Sequence, residues 1–147
     1  MISSATFRSI LENALFVWLG IALILTLGAE SLQLPEWLQV VGRSHPLILH
    51  FPIVLLLFGL LFFWVPNLNE KKELKEFGEL SFLLGVNFAG ITVLAGLILA
   101  QEDYAGSALE WHQWAGLGVF VGAILLYFFR NRSIKLTKGL SAIIAIG

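Results

Sequence analysis

The chain has 147 residues, of which 58% are hydrophobic and 13% charged, with a formal net charge of −1 and a mean hydropathy of +0.86. Soluble domains lie nearer 45–50% apolar and about 25% charged, so this composition excludes an ordinary water-soluble fold and indicates an integral membrane protein. The absence of cysteine excludes disulfides, thiolate metal sites, a cysteine nucleophile and covalent c-type haem attachment.

In chain order, four apolar runs are predicted to cross a hydrocarbon core of about 30 Å at 1.5 Å per residue. The first is Ile10–Gly28, with Glu12 at the headgroups. Its rival reading is a signal peptide, with Arg8 before a short apolar core and small residues at Gly28-Ala29. The second run is Leu47–Val65, ended by Pro66-Asn67. The segment Asn67–Phe77 carries Lys71, Lys72 and Lys75 among glutamates and reads as a solvated loop or short surface helix. The third run is Leu80–Ala100, and the fourth is Gln113–Phe129, stopped by Arg130-Asn131-Arg132. Leu140–Gly147 is too short to span and reads as the start of a fifth helix, as if the chain were part of something longer. The fold class is therefore all-α, an integral membrane four-helix bundle with a truncated fifth helix, and residues 1–147 form a single multi-pass membrane domain.

Charge placement orients this bundle. Arg8, Lys71, Lys72, Lys75, Arg130, Arg132, Lys135 and Lys138 lie on one side and make up eight of the nine basic residues. The other side holds Arg43 against Glu30, Glu36, Glu102, Asp103 and Glu110. The positive-inside rule puts both termini of the four-span core in the cytoplasm, in a cytoplasmic membrane. Trp37, Trp111 and Trp114 fall at the outer boundary, and Trp64 and Tyr127 at the inner one, as interfacial belt residues. The basic residues are inner-face flanks, which argues against nucleic-acid binding.

The three histidines, His45, His50 and His112, all fall at the outer level, where the second and fourth spans begin. His45 precedes Pro46, which suits a first helical position, and so reads as a helix-start residue. His50 lies a turn deeper. Pro52 lacks an N–H and crowds the carbonyl of Ile48, so the first turn is kinked or restarted, leaving room beside His50. A five-residue step turns about 140° on a helix, so the rings of His45 and His50 point apart. His112 heads a face of Ala115, Gly116, Val119, Gly122 and Ala123, and the third span has a similar stripe of Gly85, Ala89, Thr92, Gly96 and Ala100. Small residues let membrane helices approach closely; beside a histidine they also leave a flat wall for a cofactor.

Two imidazoles on facing spans above small residues can hold a b-type haem in a bundle core. His50 and His112 are the expected axial pair, with His45 as substitute ligand, Gly116 on the groove floor and Asp103 orienting an imidazole N–H. Glu102 reads as part of the acidic outer loop. Zinc or copper is the alternative occupant, although no two histidines have the i, i+4 spacing of a compact metal motif. Neither a phosphate-binding Gly-rich loop nor a nucleophile elbow nor HExxH occurs.

The peptide HPLILHFPIVLLLFGLLFF resembles the HPxxxHFPIxLL opening of a group of bacterial multi-pass membrane domains of unknown function. The stretch LILAQEDY, followed by LEWHQWAG, is similar to the third-to-fourth helix turn of members fused to a planctomycete-type cytochrome c domain, and the resemblance covers about Trp37–Phe129. It implies a redox neighbourhood at the outer face, with a c-type cytochrome or another redox protein as partner, although this chain carries no CxxCH. The expected function is electron transfer rather than bond-making catalysis. The rival class is a non-redox membrane anchoring, assembly or small transport subunit whose histidines are structural, metal-binding or pH-sensing.

Overall fold

The computed structural model describes residues 3–28, 34–65, 71–102 and 106–130. The expected fifth helix at Leu140–Gly147 and the expected site residue Asp103 lie outside these described residues.

Helix α1 runs Ser4–Leu27, starting well before the hydropathy boundary, because the Ser3 hydroxyl caps it by accepting from the Thr6 N–H at 3.1 Å. Helix α2, Glu36–Arg43, occupies what reads in sequence as an acidic loop. Pro35 fixes its entry, Glu36 stands in its first turn and Arg43 in its last, each matching the helix dipole. Helix α3 is the single turn His45–Ile48, and α4 is His50–Trp64. The chain bends by 43° between the α2–α3 stretch and α4. The break falls at Leu49, just before Pro52 removes a backbone donor and crowds the turn. Helix α5, Lys72–Leu99, begins eight residues before the expected span. The charged stretch from Lys72 to Phe77 is the first turn and a half of this helix rather than a separate loop. Helix α6, Ser107–Phe129, likewise starts six residues early. It is entered through Gly106, whose φ of 153° is a conformation side chains disfavour.

Three helices, α1, α5 and α6, are each long and apolar enough to cross a membrane, and the bent pair, taken as one span, is a fourth candidate. The chain forms a helical membrane bundle. Its centre is α5, against which all the other helices pack. Half of α5's apolar window is buried, against 11% of α1's. Leu15, Leu56, Phe82, Leu83, Val86, Phe120 and Tyr127 meet around it in the core.

Lipid tails are as apolar as leucine, so helices in a bilayer associate through close packing and polar contacts rather than by escaping water. Both devices are present. A Cβ on Gly85 would lie 2.9 Å from the Leu56 nitrogen, so α4 and α5 touch backbone to backbone. Asn87, in mid-span, accepts from the Trp18 indole at 3.2 Å and donates to the carbonyls of Leu11 and Leu83 at 3.3 and 2.9 Å, tying α1 to α5. Helices α4 and α6 each pack on α5 rather than on one another. A groove therefore remains between them, floored by α5.

Candidate functional site: an imidazole pair in an apolar groove

His45 reaches the groove because α5 has no side chain in its way. A Cβ on Gly96 would stand 3.0 Å from both Cε1 and Nδ1 of the His45 ring, so the imidazole rests against the bare turn of α5. There its Nδ1 is 2.8 Å from the Thr92 carbonyl oxygen. A carbonyl can only accept, so Nδ1 is the donor, and the tautomer compatible with this bond is the one that has its lone pair on Nε2. His112 comes from the second turn of α6. Its ring stands edge-on to His45, with centroids 6.1 Å apart and planes at 88°.

Two adjoining cavities of about 280 and 430 Å³ meet at this pair, and His45, Val93, His112 and Gly116 line both. The smaller lies toward Leu99, Ala100, Leu109 and Gln113. The larger runs deeper, past Pro52, Leu56, Ala89, Thr92, Val119 and Phe120. Pro52 is buried in its wall, and nothing stands within 4 Å of where a Gly116 Cβ would be. The walls are almost wholly apolar, and their combined size is in the ordinary range for a small-molecule site, roughly 300–1,000 Å³.

The expected pair His50–His112 is not the pair that forms. His50 is exposed at the start of α4 and lines neither cavity. His45, expected to be a helix-start residue, takes that place while also opening α3. Leu49, between them, keeps helical dihedrals (φ −57°, ψ −32°), so the helical register carries across the break and the two rings still diverge. Which ring faces inward is decided by the seat that Gly96 leaves on α5. Glu102 pairs with Arg43 through contacts of 3.0 and 3.3 Å, joining α2 to the end of α5. Glu110 is exposed. Among the described residues no group of three His, Cys, Asp or Glu gathers to hold a metal ion. The donor set of the groove is two imidazoles.

A second polar cluster, at the opposite end of the bundle, was not legible as a unit. The Glu79 carboxylate, on a residue 8% exposed, accepts from Arg8 at 2.5 Å and from Arg130 at 2.8 Å through the same oxygen. The Tyr127 hydroxyl accepts from Arg8 Nε at 3.0 Å and donates to Glu12 at 2.6 Å, and Arg130 lies over the Tyr127 ring at 4.2 Å. Two arginines and two glutamates thus join α1, α5 and the end of α6 with no net charge. The signal was Arg8 and Glu12, the only charged residues of α1, at i, i+4 spacing. Each charge taken singly read as a flank.

The chain belongs to the family described as "Predicted membrane protein (DUF2231)", whose model matches residues 44–146. That match opens one residue before His45 and includes His112. No curated protein and no solved structure matches the chain.

Proposed function

We propose that this member of the DUF2231 membrane proteins is an electron-transfer module that holds a b-type haem in the groove between α4 and α6, with His45 and His112 as its imidazole ligands. The observation that carries this reading is the imidazole pair itself. The two ring centroids stand 6.1 Å apart, close enough that a single group in the groove could engage both. Ligating histidines commonly donate their other ring N–H to a carbonyl or carboxylate, as His45 does to Thr92. A bare ion would need further protein ligands, and none gathers here among the described residues. A tetrapyrrole brings its own four nitrogens and asks the protein for axial ligands and a flat apolar wall. The wall is supplied by Val93, Gly96 and Gly116. Such a group, when bound, exchanges single electrons between ferric and ferrous iron. The residues of this chain hold it, fix the His45 tautomer and keep water from its deeper edge.

In this reading the protein lies in a cytoplasmic membrane with the histidine end outward. Eight of nine basic residues lie toward the other end in the sequence-derived topology. A c-type cytochrome or comparable redox protein at the outer face is the proposed partner.

Protein purified from haem-replete cells should show a Soret band and a sharp reduced α band. His45→Ala and His112→Ala should each convert that spectrum to a high-spin or haem-free form, while His50→Ala leaves it unchanged. A colourless, folded protein from such cells would sink the redox reading and favour a structural module. Metal analysis of the same sample tests zinc or copper.

A further inference from the structure

On the other side of the contact between α5 and α6 lies a third cavity of about 250 Å³, bounded by α1. Leu25, Leu97 and Leu117 give it apolar walls, and Gln101, Gln113 and Trp114 stand at its polar end. Leu97, Ala100 and Gln113 border both this cavity and the histidine groove, so one layer of side chains divides the two. The Gln101 amide nitrogen is buried at this end of α5 with no hydrogen-bond partner among the described residues. Its backbone is fixed, with the N–H donating to the Ile98 carbonyl at 3.2 Å in the closing turn of α5. A buried donor left unmade costs free energy of a size that a native structure normally avoids, so such a group calls for an acceptor.

We propose that this cavity binds the carbonyl end of a membrane-soluble amphiphile, with Gln101 Nε2 donating to the carbonyl oxygen. The chemistry follows from what the walls offer. The amide is an uncharged donor among apolar walls, where a neutral carbonyl costs far less to desolvate than an anion. Leucines accept a ring or chain, and Trp114 lies at the level where the polar groups of membrane amphiphiles reside. Two sources carry that chemistry, a quinone ring and the ester carbonyl of a glycerolipid. The cavity stands whatever the histidine groove holds. A ring bound in it would lie one side-chain layer from that groove, and only this consequence draws on the redox reading.

The test uses the full chain in nanodiscs of ether-linked phospholipid, which has no ester carbonyl. A short-chain benzoquinone labelled with ¹³C at its carbonyls is titrated and followed by infrared difference spectroscopy. The labelled band should move to lower frequency on binding, with affinity about tenfold weaker in Gln101→Leu, as expected for one lost hydrogen bond. Leu117→Trp fills the cavity from α6 without touching Gln101 and should abolish binding. His112→Ala should leave it intact, which separates this result from the fate of the haem reading. In a second arm, protein extracted from ester-lipid membranes is assayed for one retained glycerolipid that Gln101→Leu releases. A quinone signal or a retained lipid with these dependences supports the site and names its source. Absence of both, or binding indifferent to Gln101→Leu and Leu117→Trp, overturns it.

Discussion

The two ends of this bundle place polar groups against α5 in opposite ways. At the arginine end the four charges of the buried cluster answer one another. Glu79 receives both guanidinium groups, Tyr127 bridges Arg8 and Glu12, and the cluster closes α1, α5 and α6 on one another. At the histidine end the polar groups meet a gap. Helices α4 and α6 stand apart, His45 has one nitrogen tied to Thr92, and apart from His112 and Gln113 the groove is lined mainly by apolar side chains. Charge inside a membrane is tolerated when it is paired and neutralised, and such pairing serves rigidity. Open apolar volume beside side chains able to ligate contributes nothing to stability and is where a binding site is looked for. The arginine end is thus closed by its own pairing, and the histidine end is the candidate site.

The most severe way to break this division is to unbalance that pairing. Glu79→Leu leaves two guanidinium groups facing each other with no carboxylate between them. Removal of one partner of a buried ion pair costs about 3–5 kcal/mol, and the partial exposure of Arg8 argues for the lower part of that range. Thermal unfolding in detergent should show the loss together with detachment of α1, whose burial is slight. An unchanged unfolding midpoint would mean that the network is ornamental.

A smaller perturbation acts on the other end. Gly96→Val puts side-chain atoms where the His45 ring lies and should displace it from Thr92. Overpacking of this kind costs about 1–3 kcal/mol, but the sharper expectation is selective. Any chromophore in the groove should be lost or altered while the Arg8–Glu79–Arg130 cluster persists. If Gly96→Val behaves as His50→Ala does, the seat of His45 has been misassigned. The mildest change is Tyr127→Phe, which keeps the ring under Arg130 and deletes only the hydroxyl between Arg8 and Glu12. One such hydrogen bond contributes about 0.5–1.5 kcal/mol, somewhat more when a partner is charged. The expected result is a small drop in the unfolding midpoint with the histidine end untouched. A spectral change in Tyr127→Phe would show that the two ends are coupled rather than separate.

Much of the frame is legible in the amino-acid order. Four apolar runs, the break near Pro52 and the shared level of the three histidines all follow from the succession of residue types along the chain. Helix ends are less so. Ser3 and the Lys72–Phe77 stretch extend α1 and α5 beyond their apolar runs, because capping and helix propensity continue past the point where hydropathy fails. Helix α2 is hidden because a short surface helix of mixed polarity has a loop's average hydropathy.

The amino-acid order by itself determined which runs are long and apolar enough to be candidate spans and that its histidines fall at the starts of two of them. Hydropathy and helical rise are sums along one dimension, and they need no partner. Only the tertiary structure decided that His45 rather than His50 meets His112, and that five scattered flank residues are one network. Both depend on how each helix is rotated about its axis. That rotation is fixed by contacts such as Gly96 on His45 and Gly85 on Leu56, between residues far apart in sequence.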